Sequence, residues 1–218
     1  MEQESVTSQT LRTPRAAAVA GILFAVLLTT ALVLVRTAAD SSTDSSSWLT
    51  DAGRRRQVIL ALNLVPFSGI AFLWFIGVVR DRIGHREDRF FATVFLGSGL
   101  LFVAMLFVAA AVTASFLADQ AAGGTIGGTS GFSRRIGALV LHTYAMRMAA
   151  VFTISTATIG LRTGFMARWL GFLGYAVALT LLLGIDVMPW VELLFPFWIF
   201  LLSLDTLVAR FRAKRGGG

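Results

Sequence analysis

Long apolar runs alternate with short polar segments from one end of the chain to the other. The runs cover residues 16–35, 57–79, 90–117, 136–160, 169–185 and 189–211. Each has at least 17 residues, the length at which a helix begins to span a hydrocarbon core of about 30 Å. The pattern predicts an all-α polytopic membrane protein, a six-helix transmembrane bundle. It divides the chain into an N-terminal segment 1–15, a membrane domain 16–211 and a basic tail 212–218. Arg12 and Arg15 precede the first run, as they would in a signal peptide. Its apolar stretch is long for such a leader, and only Ala38-Ala39 offers small residues for cleavage. The run therefore reads as a retained helix, with a cleaved leader as the alternative. No internal repeat is visible.

Composition agrees with the pattern. Of the 218 residues, 56% are hydrophobic and 14% charged, against about 25% charged in ordinary soluble domains. Cysteine is absent, which removes disulfides, thiolate metal sites and thiol catalysis. The two histidines, His85 and His142, are too few for a haem held by paired histidines. The single lysine, Lys214, leaves no Walker A loop. No cofactor is expected. Arginine outnumbers lysine eighteen to one, a bias expected of a GC-rich bacterial genome, so the predicted location is a bacterial cytoplasmic (inner) membrane. The net charge of +7 lies in arginines that flank apolar runs, which points to lipid headgroups rather than nucleic acid.

Those arginines orient the bundle. Twelve Lys and Arg residues fall in the two termini and the loops after the second and fourth runs, and six fall on the opposite side. By the positive-inside rule both termini are cytoplasmic. Arg54, Arg55 and Arg56 then lie outside, where Asp40, Asp44 and Asp51, or lipid phosphates, can pair with them. Residues 37–53 read as a polar linker with a short helix near Trp48, and the glycine-rich residues 118–133 as a tether.

Charge at bilayer depth marks candidate sites. Arg147 lies within the fourth run, and helical spacing puts Thr143, Tyr144, Ile154 and Thr158 near its stripe. His142 is turned roughly 140° away, on a stripe with Met146, Ala149, Thr153 and Gly160. Arg147 is read as an anion site, a partner in a proton path, or half of a structural ion pair. Asp205 is its expected partner: measured from the starts of their runs, the two depths differ by only about 8 Å. Asp186 and Glu192 sit at the outer end of the last two runs, facing His142 or water. His142 is either a packing residue or a proton relay, since imidazole changes charge near neutral pH. In the second run Pro66, with Asn63 and Ser68, predicts a kink that frees a carbonyl near residue 62 for a cavity or a cation. Gly97-Ser98-Gly99, and Gly174 with Ala178, are small faces for close helix contact.

Enzyme chemistry lacks its partners, and the chain is not expected to be an enzyme. Gly128-Thr129-Ser130-Gly131 resembles the GxSG of rhomboid proteases, but the sixth run holds no histidine and His142 is too far along its helix to act as a base for Ser130. No HExxH is present. The stretch 66–107, PFSGIAFLWFIGVVRDRIGHREDRFFATVFLGSGLLFVAMLF, resembles multi-pass membrane proteins of actinobacteria, a resemblance that implies six spans and no particular activity. Within it, Gly77 to Arg86, with Asp81 and Arg82 at its centre, is similar to the loop between spans two and three of major facilitator transporters; the match covers ten residues. Two functional classes remain. One is a pathway or binding cavity for a small solute, with an anion favoured, or for protons. The other is a non-catalytic subunit or scaffold. The expected partners are the lipid bilayer and either further copies of the chain or a larger membrane complex.

Overall fold

The computed structural model describes residues 13–40, 51–83, 89–121, 135–184 and 190–215. Within them lie six long helices. These are α1 (Thr13–Asp40), α2 (Ala52–Ile83), α3 (Arg89–Ala121), α4 (Arg135–Thr163), α5 (Arg168–Leu183) and α6 (Leu194–Arg215). A 3₁₀ turn, Val191–Leu193, leads into α6. Five of the six are long and apolar enough to cross a membrane, and the protein is an integral membrane protein. The exception is α5. It is apolar, but its 16 residues rise only about 24 Å, short of a full hydrocarbon core. The helices also run past their apolar stretches: α1 continues through Thr37 to Asp40, and α3 reaches Ala121. The polar segments between them are shorter than hydropathy alone suggests.

Local chemistry sets the helix ends. Asp51 caps α2, its side chain accepting from the Gly53 N–H at 2.8 Å and its carbonyl from the Arg55 N–H at 3.0 Å. Arg54 pairs with the same carboxylate at 3.4 Å, one of the expected partners for the arginine triplet. α4 ends at Gly164, which adopts φ 71° and donates to the Gly160 carbonyl at 2.9 Å. A side chain at that φ would meet its own carbonyl, so glycine stops the helix at little cost.

The helices pack as a closed ring in chain order, α1 against α2, α2 against α3 and so on until α6 returns to α1. Phenylalanines fill the centre. Phe24 of α1, Phe72 of α2, Phe102 of α3 and Phe195 of α6 are fully buried and meet ring to ring, with centroids 4.5–6.3 Å apart. Phe152 of α4 joins them, 5.0 Å from Phe72 and 4.9 Å from Phe95. Most of these pairs are tilted or edge-on, the arrangement that ring quadrupoles favour. α5 contributes small residues instead. A Cβ on Gly174 would lie 2.9 Å from the Trp198 ring, so the glycine lets α6 approach. Trp198 is itself buried, and its indole N–H donates to the Leu170 carbonyl at 3.1 Å.

The hydroxyls of α4 are absorbed by the same helix. Thr153, Ser155, Thr156 and Thr158 each donate to the carbonyl four residues back, at 2.7–2.9 Å. Thr158 also meets the Tyr175 hydroxyl at 2.9 Å, tying α4 to α5.

Candidate binding cavity

The predicted Arg147–Asp205 pair does not form. Asp205 lies at the other end of the bundle from the Arg36 end of α1, where its carboxylate accepts from the Ala167 N–H at 3.3 Å. Ala167 is the N-cap of α5, a position with orphan N–H groups and a positive dipole end that an acid stabilises. Arg147 precedes Thr163 by sixteen residues, so it sits about 24 Å up α4 from that level. α5 also stands between α4 and α6 in the ring. Arg147 is exposed on the outer face of the bundle, with Tyr144 exposed one turn away. Its Cβ tilts toward the helix N-terminus. That is the Arg36 end, so the guanidinium can snorkel to the interface there. Arg147→Leu is therefore expected to leave stability within about 1 kcal/mol of the parent. Asp205→Ala should cost about 1 kcal/mol and Asp205→Asn less, because an amide oxygen still accepts. SDS titration of unfolding in mixed micelles measures all three; a loss of several kcal/mol in Arg147→Leu would contradict the outward placement.

Asn63 and Pro66 are also exposed, and Ser68 is buried with its hydroxyl unpartnered. None of the three lines either of the two cavities described below. Pro66 still matters indirectly: it removes the donor for the Leu62 carbonyl, and Leu62 does border the cavity described next. Asp81 and Arg82 fall in the last turn of α2, where side chains are not described, and His85, Arg86, Ser130 and Asp186 lie outside the described residues.

The cavity, of about 520 Å³, opens at the Arg36 end between α1, α2, α3 and α4. Its volume is in the range of small-molecule sites. Leu28 and Leu32 of α1, Val65 of α2 and Leu106 of α3 form apolar walls. The polar lining is Arg36, Glu192, Arg135, His142 and Thr113. Glu192 is buried and accepts from Arg36 Nη1 at 2.7 Å. The Arg36 guanidinium also lies over the Trp190 ring, 5.3 Å from its centroid. Trp190 adopts φ 69°, a left-handed conformation rare for a bulky residue. That turn, closed by a 3.0 Å bond from the Leu193 N–H to the Trp190 carbonyl, brings the ring and the carboxylate to the same arginine. The ion pair is neutral as a unit. Arg135 has no carboxylate partner among the described residues, so the lining carries a net positive charge.

His142 reaches this cavity from a π-helical turn, Val140–Ala145, in which the Met146 N–H bonds the Leu141 carbonyl. Such turns insert one residue, widen the helix locally and recur at functional sites. His142 and Glu192 thus share one cavity, as one of the two sequence expectations for Glu192 has it, but Arg36 is the residue that Glu192 contacts. Below the cavity, toward the Asp205 end, lies the phenylalanine cluster. Leu28 borders the cavity, and Phe24, one turn below, is fully buried against Phe72. A shallower apolar groove of about 460 Å³ between α1 and α6 holds no charged group.

Arg36, Arg135 and Trp190 were not legible as site residues. Each sits at the end of an apolar run and reads as an ordinary interfacial anchor. Glu192 carried the one usable signal, an acid inside the apolar stretch 189–211 whose partner lies 156 positions away. No family model matches the chain, and no curated protein or solved structure matches it either.

Proposed function

We propose that this integral membrane protein binds a small organic anion in the cavity between α1, α2, α3 and α4. The arginine distribution places the Arg36 end outside the cytoplasmic membrane of a bacterial cell, so the solute enters from the outer side. The observation that carries the reading is the lining: apolar walls, a neutralised Arg36–Glu192 pair, and Arg135 and His142 as further polar contacts. Arg135, an exposed cation at the edge of these apolar walls, favours anions over metal ions. The phenylalanine cluster below the cavity supports a site closed toward the Asp205 end rather than an open channel.

Isothermal titration of the full chain in zwitterionic nanodiscs with butyrate and benzoate tests this. Saturable binding is expected, weakened at least tenfold by Arg135→Ala. Absence of binding beyond empty discs would overturn it.

A second reading, a non-catalytic subunit of a membrane complex or a homo-oligomer, is favoured by one feature. Arg147 and Tyr144 are exposed on the outer face of α4, where a partner helix could satisfy them.

A further inference from the structure

Resting on that reading, we infer that the cavity takes up a proton together with the anion, with His142 as the proton site. Helix register fixes how deep this side chain lies. α3 and α4 run antiparallel: Phe95 meets Phe152, and a Cβ on Gly137 would lie 3.0 Å from the Thr113 hydroxyl and 3.5 Å from the Ala109 carbonyl. His142, five residues beyond Gly137, therefore drops about 7 Å, to the level of Leu106. Glu192 reaches the same level. Phe195 of α6 packs on Phe102 of α3 with centroids 4.9 Å apart, and Glu192 sits about one turn above it. The deep end of the cavity is thus polar, and it holds the imidazole and the Arg36–Glu192 pair. Arg135 lies nearer the mouth, about 10 Å above His142 along α4.

The charge at that depth decides what an anion needs. Arg36 is committed to Glu192 at 2.7 Å, so the pair adds no net charge, and its carboxylate repels a second anion. Arg135 is exposed, where solvent and salt screen it. An anion that passes Arg135 and reaches the Leu106 level needs a counter-charge there. His142 is partly buried, and no hydrogen bond or ion pair ties it to another described residue. The π turn presents it to the cavity. Imidazole is the side chain that changes charge near neutral pH, here by taking a proton from the outer solution. The other ionisable groups on the lining are Arg36 from α1, Glu192 from the turn before α6 and Arg135 from α4; the lining side chains of α2 and α3 do not ionise. A guanidinium keeps its proton throughout the working range. Anion and proton then enter as a pair of zero net charge. By reciprocity each raises the affinity for the other, so anion affinity rises as pH falls and levels once the imidazole is fully protonated.

Benzoate is titrated against the full chain in zwitterionic nanodiscs between about pH 8.5 and about pH 5.5, where its carboxylate stays ionised. Affinity should rise at least about tenfold across that range. Heats measured in buffers of different ionisation enthalpy should report proton uptake near neutral pH. His142→Gln should bind benzoate as the parent does at high pH and lose the rise. The chain has only two histidines, so in a His85→Gln background NMR follows a single imidazole. That imidazole should titrate at higher pH with saturating benzoate than without it, a readout that stands even if His142→Gln does not fold. A rise in affinity that survives His142→Gln puts the proton elsewhere, at Glu192 first, and overturns the inference. If benzoate binds with the Arg135 dependence but neither its affinity nor the imidazole titration responds to the other, the coupling is wrong and the anion site stands. If benzoate binds at no pH in the range, both readings fall.

Discussion

Replacing Arg36 with alanine is expected to destabilise the bundle by about 3 kcal/mol, while Arg36→Met combined with Glu192→Leu should recover most of the loss. The asymmetry follows from what each change leaves behind. Glu192 is buried, its side chain only 5% exposed, and Arg36 is its ion-pair partner. Without the guanidinium a buried carboxylate is left without its ion-pair partner in a poorly hydrated place, which costs free energy. Removing both ends of a buried pair leaves no such orphan, and apolar replacements of similar volume are often neutral. The single change also frees the Trp190 ring from its cation, which should loosen the left-handed turn that presents Glu192. Reversible unfolding in mixed micelles measures the stabilities. The pair is shown to matter by a double-mutant coupling of at least about 1.5 kcal/mol; a coupling near zero would make it a solvated contact.

The sequence made the helices legible for a simple reason. Every long apolar run is bounded by charges or glycines, and in a bilayer only a helix satisfies the backbone of such a run by itself. Facing and depth were less legible, and Arg147 shows why. Its depth match with Asp205 assumed that the fourth and sixth apolar runs begin at one level. They do not: Glu192 meets Arg36 near the start of its run, whereas α4 begins with Arg135 at the mouth of the cavity and reaches His142 only two turns later. The facing argument used an uninterrupted 3.6-residue period, and the π turn Val140–Ala145 breaks that period just before Arg147. The stripe of Met146, Ala149 and Thr153 is nonetheless fully buried, so the period holds below the turn. What no single-chain pattern carries is the ring order. It puts α5 between α4 and α6 and joins residues as distant as Arg36 and Glu192.

Phe72→Ala is expected to have the largest effect, about 3–5 kcal/mol of lost stability. Phe72 is fully buried and meets the rings of Phe24, Phe75, Phe102, Phe152 and Phe195, with centroids 4.5–6.2 Å apart. Lipid cannot refill the site from outside, because the ring of helices encloses it. Most of the lost dispersion contacts therefore go unreplaced. The same deletion has a second consequence. The phenylalanines separate the cavity floor at Leu28 from the Asp205 end of the bundle, and removing the ring that touches most of the others lowers that barrier. Proteoliposomes of Phe72→Ala should become more permeable to the small organic anions proposed above as ligands. Phe72→Leu, which keeps most of the volume, should lose less stability and stay tight. The comparison separates the two roles of the residue. Lost stability with unchanged flux would make the cluster a packing core alone. Raised flux in the alanine variant but not in the leucine variant would make it the barrier that closes the cavity.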